Sequence, residues 1–283
     1  MTYDLIITDS HVMTPNGMVE KNLVIEDGKI KLVTNDTPEC DKKINGSGLV
    51  SIPGLIDTHV HYGVYSPIDQ AATTESHAAA IGGVTTMMRM FRLNGSYKDS
   101  LQKHLSASQN SHYIDYTLHA SIFDNSQIDE MKYCLENKII SFKIYMNLGG
   151  DVGHVYMEMN PGEQKLISAE VNVTNELVEK IVKKAALLNC PVLVHAEDYQ
   201  ECACGMKTQK EKNHDGLNAW SESRSPNFEA KSIQTICEYG RKYNCQIYFV
   251  HIGSKLALEK IKEEKQKGTK IFVETCPHYL TLS

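Results

Sequence analysis

Residues 55–61 read Leu55-Ile56-Asp57-Thr58-His59-Val60-His61, a run that begins apolar and ends polar. Six later runs resemble its start, since each is short, rich in β-branched or aromatic residues and nearly continuous in hydrophobicity. They are Thr85–Met90, Tyr116–Ser121, Ser141–Met146, Pro191–Ala196, Gln246–Ile252 and Lys270–Cys276. Runs of this kind are typical of strands buried on both faces of a parallel sheet.

Amphipathic segments with helix signals separate these runs. Thr174 is placed to cap a helix whose apolar residues share one face, namely Leu177, Val178, Ile181, Val182, Ala185 and Leu188. A second helix is predicted from Ser254 to Lys267, before Gly268, and a third near Glu75–Ile81, ending at Gly82-Gly83. This alternation predicts an α/β fold, and the unreversed strand order favours a (β/α)₈ TIM-type barrel of which seven strands are present.

The first 52 residues have a different pattern, with three predicted strands separated by turn residues. The strands are Asp4–Asp9, Asn22–Glu26 and Lys29–Thr34. The turns are expected at Pro15-Asn16-Gly17 and at Asp27-Gly28. We therefore expect two domains: residues 1–52 as a small antiparallel unit, the N-terminal part of a β-sandwich, and residues 53–283 as the barrel.

The composition excludes several classes of protein. The 283 residues are 41% hydrophobic and 23% charged with a net charge of −6, which fits a soluble globular chain and gives no reason to expect nucleic-acid binding. No run approaches the ~18 apolar residues of a membrane span. The first residues lack a secretory pattern, so a cytoplasmic location is expected. Cys202 and Cys204 form a lone C-x-C, a weak zinc signal for which an ordinary loop or helix is the favoured interpretation.

Histidines follow three of the apolar runs. Alternation along a strand puts His59 and His61 on one face, and His195 and His251 each end a later run. A single such histidine would more often be a hydrogen-bonded core residue. Because the carboxyl ends of barrel strands meet at one mouth, recurrence on three strands favours metal ligation instead.

Lys143 lies inside the apolar run Ile139–Met146, where a charged amine is costly unless it is paired or chemically changed. One interpretation is an ion pair with an acid inside the barrel. The other is a neutral amine that takes up carbon dioxide, giving a carbamate whose two oxygens could bridge two metal ions. The sequence leaves both open.

Together these motifs resemble the cyclic amidohydrolases of the amidohydrolase superfamily, a group that includes dihydropyrimidinases, hydantoinases and allantoinases, with dihydroorotases nearby. The likeness runs over essentially the whole chain. It rests on Pro53–His61, Ser141–Lys143, Val194–Glu197, Arg224-Ser225-Pro226 with Glu229, Val250-His251 and Glu274–Leu280.

The resemblance implies two divalent metal ions, most often zinc. By matching position His59 and His61 would bind one metal, His195 and His251 the other, and carboxylated Lys143 would bridge them. A hydroxide held between the metals would attack the carbonyl of a small cyclic amide. The resemblance also implies a homo-oligomer, commonly a tetramer. From the composition and hydropathy, no nucleic-acid or membrane partner is expected.

The sequence departs from the family pattern at its C-terminal end. In the family an aspartate at the end of the eighth strand moves the proton during hydrolysis. That position lies beyond Ser283, so the catalytic residue is not assigned. We read the chain as truncated relative to the family, and we expect polypeptide 1–283 to have little or no turnover and to have unclosed strand edges.

Fewer residues indicate which substrate is bound than indicate the metal site. No arginine occurs in Tyr62–Pro67, where dihydroorotases hold the substrate carboxylate, so dihydroorotate is disfavoured. Leu148 stands where hydantoinases usually have tyrosine, with Tyr145 nearby, and His278 looks more like allantoinases or is a loop residue. Gly149–Val173 is a candidate lid or a mobile loop.

We therefore predict a dihydropyrimidinase- or hydantoinase-like enzyme, with an allantoinase as the alternative. From another class, a non-catalytic dihydropyrimidinase-like assembly protein or an inactive fragment stays open. Metal content discriminates between these classes, because only the enzyme should hold about two metals per chain.

Overall fold

The computed structural model describes residues 2–282, which divide into two compact units between Leu55 and Ile56. The first unit is a five-stranded sheet in the order β3-β2-β1-β4, with β5 also beside β1. Its strands are β1 (Tyr3–Thr14), β2 (Gly17–Glu26), β3 (Lys29–Thr34), β4 (Cys40–Asn45) and β5 (Val50–Ser51).

The three strands predicted in this unit are present, and both expected turns connect them. Asp27 and Gly28 have φ angles of 51° and 68°, as a two-residue hairpin turn requires. These three strands pair antiparallel, as predicted, but the unit also contains β4 and β5, which were not predicted and run parallel to β1. Local turn signals identify hairpins, whereas this pairing joins segments that are distant along the chain.

The second unit contains a seven-stranded parallel sheet in which every strand lies next to its neighbours in chain order. The seven predicted runs all form these strands, which confirms the α/β fold. The strands are β6 (Leu55–Val60), β7 (Val84–Phe91), β8 (Asp115–Ser121), β9 (Phe142–Tyr145), β12 (Val192–His195), β13 (Ile247–Phe249) and β14 (Ile271–Val273). Between β9 and β12, the strands β10 (His154–Met157) and β11 (Ile167–Glu170) form an antiparallel hairpin.

Helices connect the strands, as the barrel pattern requires. They are α1 (Ile68–Ile81), α2 (Tyr97–Gln109), α3 (Asn125–Glu136), α4 (Asn175–Leu187), α5 (Tyr199–Glu211), α6 (Gly216–Glu222), α7 (Pro226–Tyr243), α8 (Lys255–Gln266) and α9 (Pro277–Thr281). None of the helices within residues 2–282 is long and apolar enough to cross a membrane.

Side-chain caps fix two of the predicted helix starts. The Thr174 hydroxyl accepts a hydrogen bond from Leu177 N, and the Ser254 hydroxyl accepts one from Ala257 N. Helix α1 begins seven residues before the predicted Glu75, at Ile68. Its left-handed residue is Gly83, with φ 85°, whereas Gly82 still has a right-handed conformation.

The sheet curls so that its first strand meets its last ones. The hydroxyl of Thr58 on β6 lies 3.2 Å from that of Tyr248 on β13 and 3.4 Å from the Glu274 carboxylate, which follows β14. Inside the curl, Met90, Leu193 and Val250 form a small apolar cluster. The interior of the sheet is therefore packed, and its carboxyl ends surround a common mouth.

Candidate metal centre

Four imidazole rings lie together at the carboxyl ends of β6, β12 and β13. The Nε2 atoms of His59 and His61 are 3.2 Å apart. The ring centroid of His251 lies 5.5 Å from that of His59 and 4.6 Å from that of His195. The histidines that the sequence singled out thus form one continuous cluster.

Strand alternation explains the placement of three of these rings. His59 and His61 are two residues apart on β6 and its extension, and His195 shares a face with Leu193 of the interior cluster. His251 would point away from that cluster because it directly follows Val250. Its φ of 42° is in the left-handed region and turns the imidazole toward the other rings.

Lys143 lies on β9 directly opposite Leu193 of β12 and is completely buried. Its Nζ has no hydrogen-bond partner among residues 2–282 and stands 5.0 Å from the centre of the Tyr145 ring. Burial is the main cause that lowers the Lys143 pKa to about 7, and the negative charge of Glu274 opposes it. Among the described residues 2–282, Lys143 does not form the ion pair that its first interpretation required.

Glu274 is the carboxylate that orders this cluster. Its Oε1 lies 2.5 Å from His59 Nδ1 and accepts a hydrogen bond from His251 N at 3.1 Å. Its Oε2 accepts one from the Tyr248 hydroxyl at 3.1 Å. Burial alone would raise the Glu274 pKa, but the contacts with His59 bring it below its usual value. With Nδ1 donating to this carboxylate, His59 Nε2 is left with a lone pair facing His61.

A second carboxylate contacts the other side of the cluster. Glu197 lies 3.2 Å from His195 Nε2 and forms an ion pair with Arg224. Arg224 in turn stacks on the Trp220 ring, 4.2 Å from its centre. Burial lowers the pKa of His195, and burial with the neighbouring positive groups lowers that of His251 to about 2. Both rings are therefore neutral at pH 7, the form in which imidazole binds metals.

The comparisons with known proteins agree on one group. The allantoinase of Bacillus licheniformis is 28% identical over 291 residues, covering 99% of this chain and 61% of its own length. The D-hydantoinase of Ralstonia pickettii is 28% identical over 292 residues, covering 99% and 59%. A crystal structure of D-hydantoinase superposes with a TM-score of 0.85 at 25% identity, covering 98% of this chain and 58% of that one. No protein-family model matches the chain.

Over nearly its whole length the chain is similar to allantoinases and hydantoinases, which hydrolyse cyclic amides. Its resemblance to an L-hydantoinase (dihydropyrimidinase) from Arthrobacter aurescens, with a TM-score of 0.84 at 21% identity, supports the barrel fold. The chain spans about 60% of the length of the curated relatives that it matches.

The resemblance to these enzymes implies a metal site, and the residues of this chain fit one. Two nitrogens bound to one tetrahedral zinc ion at about 2.0–2.1 Å lie about 3.3 Å apart, close to the 3.2 Å between His59 and His61 Nε2. The unpartnered Lys143 amine faces the same interior. Within residues 2–282, no three histidine, cysteine, aspartate or glutamate side chains already form a complete metal cluster. The fit therefore depends on the histidine pairs together with the lysine.

The segment predicted as a lid packs against the mouth. Its hairpin places Glu158 in a buried ion pair with Arg89 of β7. The Glu158 amide donates to the Arg92 carbonyl at 2.9 Å, and that of Met159 to Gly63 at 2.7 Å. This side of the hairpin is thus anchored on the loops that follow β6 and β7.

The remaining candidate residues lie outside the histidine cluster. Tyr145 is buried and stacks on Phe123, Leu148 packs against the main core, and His278 is exposed on α9 beside Tyr279. Cys202 and Cys204 lie on α5, with Cys202 buried and Cys204 exposed, which confirms the ordinary helix that the sequence favoured.

Proposed function

We propose that this chain supplies the metal-binding residues of an enzyme that hydrolyses the cyclic amide bond of a dihydropyrimidine or hydantoin ring at a two-metal site. The observation that carries the proposal is the convergence of imidazoles from three strand ends beside one buried, unpartnered amine. A structural role alone would leave Lys143 with a desolvated amine and no compensating bond.

In this proposal the chain's own residues hold two zinc ions. His59 and His61 would bind one, His195 and His251 the other, and Lys143 in its carboxylated form would lie between them. When bound, the ions would supply Lewis acidity to an amide carbonyl and make water nucleophilic at neutral pH. The low pKa of buried Lys143 favours the neutral amine that carboxylation needs.

The surrounding residues fix the orientation and charge of these ligands. Glu274 holds the His59 tautomer through Nδ1 and also holds the backbone N–H of His251. Arg224 neutralises Glu197, so this carboxylate can contact His195 without adding a net negative charge. The hairpin after β9 is attached at Gly63 and Arg92, where it would limit the access of water to one side of the mouth.

A second ring, allantoin, is supported by a separate observation. Relatives named allantoinase match the chain at 25–28% identity, alongside a D-hydantoinase at 28%. Allantoin is itself a substituted hydantoin, so the same site could open it. The activity test below therefore includes allantoin beside hydantoin and dihydrouracil.

The first test measures metal content. The purified chain should bind about two zinc ions, and Lys143→Met and His195→Ala should each reduce this number. His11→Ala removes an exposed histidine on β1 of the first unit and should leave it unchanged. Wild-type protein that binds no zinc would contradict the proposal.

The second test measures ring opening of dihydrouracil, hydantoin and allantoin by the native protein isolated from its own cells. We expect at least one ring to be opened, and the activity to be lost with Lys143→Met. Full zinc occupancy without hydrolysis of any of the three would remove the substrate assignment.

A further inference from the structure

Arg92 directly follows β7, at the carboxyl end of this strand. The other arginines each pair with a glutamate: Arg89 with Glu158, Arg224 with Glu197 and Arg241 with Glu264. Within residues 2–282 the Arg92 side chain makes no hydrogen bond or ion pair, and its Nε is buried without an acceptor. Its main chain, in contrast, is held at both its N–H and its carbonyl by Glu158.

Strand alternation places this side chain over the interior of the sheet. Met90, two residues earlier, packs against Leu193 and Val250 inside the curl. Residues two apart on a strand share a face, so Arg92 extends from the same face one layer nearer the mouth. Leu193 is the register partner of Lys143, which lies in the same interior.

Arg92 lies near enough to the cluster for its positive charge to act on His61 and Lys143. Glu158 cannot neutralise this guanidinium fully, because its carboxylate forms an ion pair with Arg89.

We propose that Arg92 binds a carboxylate carried by the substrate ring and so determines specificity. The inference rests on the proposed function, since it assumes a cyclic amide at the histidine cluster. An arginine fork binds a carboxylate through two parallel N–H···O bonds, which would supply the acceptors that Arg92 lacks.

This inference reverses an expectation from the sequence. The absence of arginine in residues 62–67 disfavoured a carboxylate-bearing substrate. Arg92 lies at the same mouth but follows the neighbouring strand β7. The motif at residues 62–67 therefore does not include it. A carboxylate-bearing ring is therefore the substrate class to test first.

The test compares two ligands of nearly equal size, hydantoin-5-acetate and hydantoin-5-acetamide, by calorimetric titration of the zinc-treated chain. A charge-assisted bidentate contact should make the acetate bind about ten- to hundredfold tighter. Arg92→Met should abolish this preference, and Arg92→Lys should retain part of it because the charge remains. Lys132→Met removes one exposed positive charge on α3 and should leave the preference unchanged.

Equal affinities of the wild-type protein for the two ligands would overturn the inference, as would a preference that survives Arg92→Met. If Arg92→Met does not fold, an undiminished preference in Arg92→Lys would overturn it instead. Zinc content measured on the same samples separates the two proposals. A carboxylate preference without bound zinc would support the role of Arg92 and contradict the proposed function. Two bound zinc ions without a carboxylate preference would support the proposed function and contradict the role of Arg92.

Discussion

Lys143 places a primary amine inside the sheet without a hydrogen-bond partner among residues 2–282. Methionine has a similar length and no polar group, so Lys143→Met should remove this unmet donor without opening a cavity. We expect the free energy of unfolding of the metal-free chain to stay the same or to rise by about 1 kcal/mol. Urea unfolding of metal-free protein measures this. A clear loss of stability would show that the amine has a structural partner.

His251 carries the backbone strain of the cluster. Its φ of 42° is unfavourable for a residue with a Cβ and costs glycine nothing. His251→Gly should therefore be more stable than His251→Ala by about 1 kcal/mol when both are metal-free. Urea unfolding of the two variants isolates the backbone effect, since both lack the imidazole. An alanine variant as stable as the glycine variant would mean that the left-handed conformation is not retained.

At the scale of elements, the hairpin after β9 is attached to β7 by one buried ion pair. Arg89 and Glu158 are both almost completely buried. Arg89→Met should cost about 3–5 kcal/mol of unfolding free energy, because it leaves the Glu158 carboxylate buried and unpaired. Adding Glu158→Met should recover part of this loss. Urea unfolding of the two single variants and the double variant tests the coupling, and strictly additive losses would contradict it.

The elements themselves were largely readable from the sequence. Apolar runs predicted the parallel strands, and Thr174 and Ser254 predicted helix starts, because hydrophobic period and capping are local properties. The parallel pairing of β4 with β1 and the docked hairpin were not predicted. Both depend on contacts between segments that lie far apart in the sequence, as in the bond between Glu158 and Arg92.

At the scale of the whole molecule, the curl of the sheet brings the residues of the candidate site together. Here too, features that are local in the sequence were predicted, and contacts between distant segments were not. Four histidines and Lys143 were found from their positions at or near strand ends. The carboxylate role of Glu274 was not assigned, although the residue lies in a quoted motif, because its partners His59 and His251 come from other strands. The lack of an ion-pair partner for Arg92 among residues 2–282 could not be predicted either, because it depends on the ion pair between Arg89 and Glu158.

Lowering the pH should reduce the free energy of unfolding, because histidines outside the cluster are buried in their neutral form. His104 on α2 is completely buried, with its ring 4.8 Å from that of Phe91. Burial is the main cause that lowers its pKa from 6.5 to about 4. The unfolded chain therefore takes up this proton at a higher pH than the folded chain. The stability that neutral His104 contributes is fully present above pH 6.5 and is lost as the pH falls through 6.5 toward 4.

His104→Leu should therefore show a weaker dependence of stability on pH across this window. Between pH 7 and pH 4 the variant should lose roughly 3 kcal/mol less unfolding free energy than the wild type, the value that a shift of about 2.5 pKa units gives. Urea unfolding at several pH values measures the difference. His11→Leu is the matched control, because it removes an exposed imidazole and should follow the wild-type curve. Parallel curves for His104→Leu and the wild type would show that His104 is protonated as readily in the folded chain as in the unfolded one.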